Sequence, residues 1–359
     1  MTRILKIRES ARDDEFGIIR KQIKVYNLPL LETPTKCLKN LRRGIPSGMS
    51  INEVIRRIYP KTIKSIQDGT YESPRKTIWS KFLRNKLNLT IFELMYDSVP
   101  NEDEIKTFAS YWYAASESTL FLPTVKMGML KEDNKFSDRK MAQYYGMMRY
   151  IIEITEVVGN TKAFIGTIPL IPPKYSRPIV NLYLEKGITS FAIDAGTKDF
   201  LNHESDFRAI LMEINEQIPI NEAFIYACNL GIPRFVQNRA RADDFLSLFA
   251  YVDAFGSTFK TRGGKGMPRG VGRAKEFLRE ELSYQVSTYQ GFFERRGKYI
   301  PNARSFLNNL NQHEQLREAN QVRKLIGKTS VQEYFEAKNA VDDFAVKHLG
   351  SIAEKVKVG

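Results

Sequence analysis

Three aspartates at or near the ends of apolar, strand-like runs are the side chains best placed to perform chemistry in this chain of 359 residues: Asp97, Asp194 and Asp253. A single aspartate after a strand is usually a turn former or a helix cap. Three in matching places favour carboxylate chemistry, because the carboxyl ends of parallel strands meet at one edge of a sheet and carry catalytic groups there.

Other catalytic signatures are missing from the sequence. There is no GxSxG, P-loop or HExxH motif, and the three histidines show no spacing typical of a metal site. Cys37 and Cys228, the two cysteines, are too few for a disulfide framework or for a zinc site built on several thiolates. We therefore expect no metal and no cofactor.

The charge of the chain indicates a polyanionic partner. Lys and Arg number 55 against 41 Asp and Glu, a formal net charge of +14, although a basic chain without such a partner remains an alternative. The positive residues fall into two clusters, 36–64 and 260–279, and the second is rich in glycines that let backbone approach phosphates. The residues expected to bind nucleic acid are Lys36, Arg42, Arg43, Lys260, Arg262, Lys265, Arg269 and Arg273.

Short apolar runs alternate with longer helical patterns, which is typical of βα units and a parallel sheet. The predicted strands are 24–31, 89–96, 119–125, 163–170, 190–193, 223–227 and 251–255, with one more within 41–79, and the predicted helices are 138–157, 176–185, 205–215 and 242–249. Ser137 is expected to cap the first of these helices and Pro178 to lie in the first turn of the second.

This pattern predicts the α/β class, a (β/α)8 TIM-type barrel with a helical C-terminal extension, and an open doubly wound sheet is the alternative. We expect an N-terminal arm at 1–23, the barrel at 24–300 and the extension at 301–359. No apolar run reaches the length of a membrane span and the N-terminus lacks a signal-peptide core, so we expect a cytoplasmic protein without a membrane partner.

Several segments resemble the tRNA-guanine transglycosylases. Residues 163–196, AFIGTIPLIPPKYSRPIVNLYLEKGITSFAIDAG, are similar to the fifth and sixth βα units of that family. The segment AFIYACNLG (223–231) is similar to its "YLMGVG" strand, and DFLSLFAYVDAFGSTFKTR (244–262) to its nucleophile-bearing strand. Asp97 and Ser98 match the first half of the family's D-S-G-G turn.

The departures from that family are specific. Gly256 stands where the tRNA enzymes carry the nucleophilic aspartate, and Asp253 lies three residues earlier. Val99 and Pro100 replace the Gly-Gly pair, and the base-recognising aspartate of the fourth strand is absent. The zinc cluster and a PUA-like RNA domain are also missing, so the chain most resembles the divergent DpdA-type DNA 7-deazaguanine transglycosylases of phages and genomic islands.

The resemblance implies a pentosyltransferase that replaces guanine in DNA by a 7-deazaguanine derivative through a covalent glycosyl-aspartate intermediate. It implies Asp253 as nucleophile and Asp97 as acid/base, or the reverse, since both must flank one sugar. Substrate-binding roles fall to Ser98, Asp194, Gly196 and Phe255.

The implied partners are double-stranded DNA, a free 7-deazaguanine base and possible helper proteins. Two alternatives stay open at this point. One is the same chemistry on tRNA, and the other is a non-catalytic nucleic-acid-binding barrel, which Gly256 favours. A metal-dependent nuclease is the weakest alternative, because no carboxylate pair with metal-ligand spacing is present.

Overall fold

The computed structural model describes residues 5–13, 15–26, 28–39, 45–46, 48–71, 81–115, 119–159, 162–259 and 273–358. Its strands are β1 (Leu5–Asp13), β2 (Ile18–Val25), β3 (Leu31–Glu32), β4 (Thr35–Lys36), β5 (Leu38–Lys39), β6 (Asn52–Ile58), β7 (Asn88–Leu94), β8 (Leu120–Val125), β9 (Lys131–Glu132), β10 (Lys135–Phe136), β11 (Ala163–Phe164), β12 (Gly166–Pro169), β13 (Ser190–Asp194), β14 (Phe224–Cys228), β15 (Arg239–Arg241), β16 (Ala254–Phe255), β17 (Arg273–Leu278) and β18 (Ser283–Thr288). Its α-helices are α1 (Pro60–Gln67), α2 (Glu102–Ala115), α3 (Asp138–Val158), α4 (Pro173–Glu185), α5 (Glu204–Gln217), α6 (Asp243–Leu246), α7 (Tyr289–Arg296), α8 (Ala303–Leu325), α9 (Val331–Glu336) and α10 (Asp343–Val358).

Two five-stranded parallel sheets form the centre of this mixed α/β fold. One has the order β11-β8-β7-β6-β5 and the other the order β12-β13-β14-β16-β4. β4 pairs with β16 and β5 with β6, so the chain around Cys37 belongs to both sheets. β11 pairs with β8 and β12 with β13, so the chain around Ile165 does the same.

The central strands are buried on both faces. In β7, Leu89 and Ile91 belong to one apolar cluster, whereas Phe92 and Leu94 belong to the cluster that packs against the helices. Burial on both faces explains why such strands appear in the sequence as continuous apolar runs. The predicted strands 89–96, 119–125, 163–170, 190–193 and 223–227 coincide with strands of the two sheets to within a few residues.

The N-terminal segment differs from the prediction. Where an arm (1–23) and a strand (24–31) were expected, β1 and β2 form an antiparallel hairpin to which β3 adds. β2 ends at Val25 because Tyr26 has a positive φ of 45°, which takes the backbone out of the strand conformation.

Two further expectations are corrected. α4 begins at Pro173, so Pro178 lies inside the helix rather than in its first turn. β17 and β18 form an antiparallel hairpin that β15 extends, within the region that was expected to complete the barrel. The expected cap is confirmed, since Ser137 accepts a hydrogen bond from the backbone N of Lys140 at the start of α3.

The last helices return to the centre of the molecule. Asn311 of α8 bonds the backbone of Phe277 and Lys275 in β17. The Nδ2 of Asn215 in α5 donates to the carbonyl of Val356 in α10. No helix among the described residues is both long enough and apolar enough to cross a membrane.

The buried side chain of Asp243, at the start of α6, has a raised pKa. Arg241 donates to both carboxylate oxygens of Asp243, at 2.5 and 3.1 Å, and also to Asp342. Burial raises the pKa of Asp243 from 3.8 to about 8, with Asp199 adding to the shift and Arg241 opposing it.

We predict that Asp243→Asn flattens the pH dependence of folding stability between about pH 4 and 8. The raised pKa means that the folded state retains a proton that the unfolded chain releases above pH 4. This contribution to stability is complete below pH 4 and is lost as the pH rises through 8, and asparagine cannot titrate. Urea unfolding at each pH measures the effect. Asp342→Asn, which removes an exposed acid bonded to the same arginine, is the matched control, and an unchanged profile in Asp243→Asn would contradict the prediction.

Candidate functional site

A buried polar group, here called the carboxyl-end cluster, lies toward the carboxyl ends of most of the parallel strands. Glu53 is the exception, because it is the second residue of β6 and bonds Ser257 in the chain after β16. The cluster consists of Glu53 and Arg57 from β6, Glu93 from β7, Thr124 from β8, Asp194 from β13, Tyr226 from β14, and Asn229 and Ser257 from the chain after β14 and β16. Three of these side chains are carboxylates, and all three are buried. A buried carboxylate requires hydrogen bonds or a cation, so the partners of each one define the site.

Asp194 ends β13 and has both carboxylate oxygens engaged. Its Oδ1 accepts hydrogen bonds from the backbone N of Gly196 at 3.0 Å and from Nδ2 of Asn229 at 2.9 Å. Its Oδ2 accepts from the Oγ1 of Thr124 at 2.9 Å. Asn229 in turn accepts from the backbone N of Phe259, so Asp194 anchors the chain that follows two strands.

Glu53 points to the opposite side of the same cluster. Its Oε1 accepts from the Tyr226 hydroxyl at 2.7 Å, and its Oε2 accepts from the Ser257 hydroxyl at 2.7 Å and from the Ser257 backbone N at 3.1 Å. Burial and the nearby Glu53 charge raise the pKa of Tyr226 well above its usual value. The phenol therefore stays protonated and donates a hydrogen bond to the carboxylate.

Glu93 is paired with a cation. The Nε of Arg57 donates to its Oε2 at 3.0 Å, and the Nη2 of Arg57 donates to the carbonyl of Phe259 at 2.6 Å. The arginine is partly exposed whereas the carboxylate is almost fully buried. Arg57 therefore links the end of β7 to the start of the glycine-rich basic segment.

The backbone at Gly256 leaves no room for a side chain. A Cβ at this position would lie 1.9 Å from the Tyr226 hydroxyl and 2.7 Å from Oε1 of Glu53. Both distances are far below contact, so the Tyr226–Glu53 pair occupies the space that a residue with a side chain would need. The Glu53 carboxylate thus lies next to the position at which the resemblance places a nucleophile.

Asp97 lies at the carboxyl end as expected but on the surface. It follows β7, its side chain is 93% exposed, and its Oδ1 accepts from the Lys126 ammonium at 2.7 Å. That bond and the Lys126 charge lower the pKa of Asp97. Ser98 beside it is exposed as well. Asp97 is therefore an accessible carboxylate in its ionised form.

Asp253 lies at the other end of the strands, which corrects its pairing with Asp97. β16 begins at Ala254, so Asp253 precedes the strand instead of ending it. Its carboxylate is 2% exposed and accepts from the Lys21 ammonium at 3.0 Å and from the backbone N of Ile225 at 2.8 Å. Two carboxylates at opposite strand ends cannot flank one sugar, so a nucleophilic role for Asp253 is wrong.

Lys21 explains why Asp253 is held there. Its Nζ also donates to the carbonyls of Ile220 and Ala223, which precede β14. Burial lowers the pKa of Lys21 and raises that of Asp253, while each charge opposes the shift of the other. The pair is a structural ion pair between the N-terminal hairpin and the amino ends of the strands.

The other site residues predicted from the sequence include several that are buried. Gly196 lies within the cluster, bonded to Asp194. Phe255 is completely buried and packs edge-on to Phe245, so a base-stacking role is wrong. Lys36 is also buried, with its ammonium 2.7 Å from the Gly256 carbonyl and over the Phe255 ring, and so cannot reach a phosphate.

Of the remaining basic residues, Arg273 is exposed at the start of β17. The others lie outside the described residues: Arg42, Arg43, Lys260, Arg262, Lys265 and Arg269.

Sequence reasoning missed most of the cluster. Glu93 lies inside a largely apolar strand, in the run NLTIFEL, and Glu53 is near the start of the run NEVIRRI, which also carries two arginines. A carboxylate within a strand that is buried on both faces indicates a polar site, because burying a carboxylate is costly unless it is paired or hydrogen-bonded. Within the part of the chain that the structure describes, no group of three or more His, Cys, Asp or Glu could hold a metal ion.

We predict that Lys21→Met lowers the free energy of unfolding by about 3–5 kcal/mol, because it leaves the Asp253 carboxylate buried without its cation. Lys21→Met/Asp253→Asn should recover much of that loss, since an amide carries no charge. Urea denaturation of the three proteins measures this. Lys24→Met, an exposed position on the same strand, is the control, and equal costs for Lys21→Met and Lys24→Met would refute the structural role.

Comparisons with known proteins identify no family. No family model matches the chain, and no curated protein matches it. Among solved structures, a trimodular GH5_4 endoglucanase aligns at 12% identity and a TM-score of 0.37, over 64% of this chain and 56% of that chain. This chain thus spans little more than half of that protein. A putative fructose-1,6-biphosphate aldolase from Coccidioides immitis aligns at 12% identity and a TM-score of 0.33, over 79% and 82%. Neither likeness carries an argument about function.

Proposed function

We propose that this chain is an enzyme of glycosyl transfer that replaces guanine in DNA by a 7-deazaguanine derivative without breaking the strand. The observation that carries the proposal is the carboxyl-end cluster, which holds buried carboxylates from β6, β7 and β13, together with the exposed carboxylate of Asp97, four residues after Glu93 in the chain. The substrate class rests on the resemblance of 163–196 and 244–262 to the guanine transglycosylases.

We infer a (β/α)8 barrel as the frame of the site. The ten strands of the two parallel sheets reduce to eight, because β4 continues into β5 and β11 into β12, and each joined strand pairs with both sheets. In a barrel of this kind, catalytic groups come from the carboxyl ends of several strands. Glu93, Thr124 and Asp194 have that origin, whereas Glu53 comes from the start of β6.

Glu93 is our candidate for the nucleophile. Glu53 and Asp194 each accept hydrogen bonds on both oxygens, which suits groups that position others. Glu93 accepts from Arg57 on Oε2, and its Oε1 makes no hydrogen bond to the described residues. A carboxylate with one engaged oxygen retains the other for attack on an electrophilic carbon.

The chemistry then proceeds in two displacements. A Glu93 oxygen bonds to C1′ while the bond from C1′ to N9 of guanine breaks, and the departing guanine takes a proton from water. The incoming 7-deazaguanine gives its N9 proton to Asp97, N9 bonds to C1′, and the bond to Glu93 breaks. Asp97 then passes that proton to the hydroxide left by the first displacement, which restores the carboxylate. The Asp97 carboxylate is exposed and ionised, as a proton acceptor must be, while the hydrogen bond and charge of Lys126 lower its pKa and thus its basicity.

Access to C1′ requires that the target nucleotide leave the duplex, which costs a few kcal/mol. The basic segment 260–279 begins directly after Phe259, whose carbonyl Arg57 holds beside Glu93. Phosphate contacts from that segment offset the cost of extrusion. Its residues 260–272 lie outside the described part of the chain.

A non-catalytic nucleic-acid-binding barrel is the second candidate. Gly256 favours it, because the family's nucleophile position is filled by the Tyr226–Glu53 pair. In that case Glu53 and Asp194 have only a structural role, each as a hydrogen-bond acceptor for the groups around it. The two candidates make opposite predictions about base exchange.

We predict that the purified chain incorporates labelled guanine or 7-deazaguanine into duplex DNA, detected by nucleoside mass spectrometry after digestion. Asp97→Asn should lower the rate by about 10²–10⁴-fold, the usual contribution of a general acid or base. Glu93→Gln should abolish the covalent adduct. Asp103→Asn changes an exposed aspartate on α2 and should retain the wild-type rate.

The outcomes separate the alternatives. Exchange into tRNA in place of DNA would assign the substrate to RNA. Binding of duplex DNA without exchange, at every pH and with each base, would support the non-catalytic barrel. Wild-type exchange by both Asp97→Asn and Glu93→Gln would refute the assigned residues.

A further inference from the structure

A cavity lies at the amino-terminal side of the strands, away from the carboxyl-end cluster. It encloses about 550 Å³ between the N-terminal hairpin, the chain that precedes β4 and β6, and α8. The residues that line it are Arg20, Leu30, Glu32, Gly48, Met49, Arg317, Asn320, Arg323 and Lys324. We call it the amino-end pocket.

Positive charge dominates this pocket. Arg20, Arg317, Arg323 and Lys324 contribute four cationic side chains, against the single carboxylate of Glu32. Three of the four come from α8 at spacings that place them on adjoining faces of one helix. Concentrated positive charge in a concave site attracts an anion.

Arg323 is the buried member of the group. Its side chain is largely shielded from solvent, Nη1 donates to the backbone carbonyl of Glu32 at 2.5 Å, and Nη2 donates to Asn320. No carboxylate among the described residues forms an ion pair with it. Burial lowers its pKa, and the nearby charge of Arg20 lowers it further while Glu32 opposes the shift. A buried guanidinium that has no ion-pair partner is stabilised when an anion binds beside it.

Arg20 is only weakly neutralised. Its Nη2 lies 3.3 and 3.4 Å from the two carboxylate oxygens of Glu32, which are long distances for an ion pair. Its Nε is buried and has no hydrogen-bond partner among the described residues. Glu32 therefore leaves donors on Arg20 available. Of the other exposed cations, Arg317 is paired with Glu314 of its own helix at 2.8 Å, whereas Lys324 forms no ion pair with the described residues.

We propose that the amino-end pocket binds a small phosphate monoester. Planar guanidinium groups hold tetrahedral phosphate oxygens with paired hydrogen bonds, and the doubly charged monoester matches more than one cation. The volume lies within the range of small-molecule sites and exceeds what inorganic phosphate alone would fill. The inference does not depend on base exchange, because no residue of the carboxyl-end cluster takes part.

Isothermal titration calorimetry at fixed ionic strength tests the proposal, with inorganic phosphate and with guanosine 5′-monophosphate as probes. Arg317→Ala/Lys324→Ala removes two exposed cations of the pocket and should weaken binding of both probes by at least about tenfold. Lys347→Ala/Lys355→Ala removes the same charge from exposed positions of α10 and should change the dissociation constant by less than about twofold.

Three results would overturn the proposal. The first is no binding of either probe at millimolar concentration, and the second is equal weakening by the two double variants. The third is displacement of bound nucleotide by a short DNA duplex, which would assign the pocket to the phosphodiester backbone of a nucleic acid. Specific weakening together with no displacement by the duplex supports the small-monoester site.

Discussion

The ammonium group of Lys21 constrains much of this fold. It is fully buried, so its charge has to be met by protein groups, and three acceptors do so: the carbonyls of Ile220 and Ala223 and the carboxylate of Asp253. Those acceptors lie at the amino ends of β14 and β16, whereas Lys21 belongs to the N-terminal hairpin. Satisfying one charge therefore fixes the hairpin across that end of the strands and leaves the carboxyl ends for function.

The carboxyl ends meet the same electrostatic requirement in another way. Asp194 and Glu53 are satisfied by hydroxyl, amide and backbone donors, and Glu93 by the guanidinium of Arg57. Neutral donors hold a carboxylate in place without cancelling its charge. On the proposed mechanism, carboxylates held in this way would stabilise positive charge on the sugar.

The sequence predicted those elements whose burial produces a continuous apolar run, such as β7, β8 and β14, because both faces of these strands contact apolar side chains. The β1–β2 hairpin was missed because its first strand, after Leu5, alternates exposed and half-buried residues and is mostly polar in sequence. Asp194 was found at a true strand end. Asp253 was misplaced by a strand boundary, since β16 starts after it. Glu53 and Glu93 could not be assigned a partner from sequence, because their partners come from other strands and depend on register across the sheet.

The close packing at Gly256 constrains how this site can change in evolution. The Tyr226 ring and hydroxyl lie 2.6 and 1.9 Å from where a Cβ would stand, so the cost of any side chain at 256 depends on the residue present at 226. The two positions are therefore coupled, and an acidic residue at 256 would require both the Tyr226 hydroxyl and the Glu53 carboxylate to move. The carboxylate at this place is instead supplied by Glu53 of β6, across the chain that joins β4 to β5.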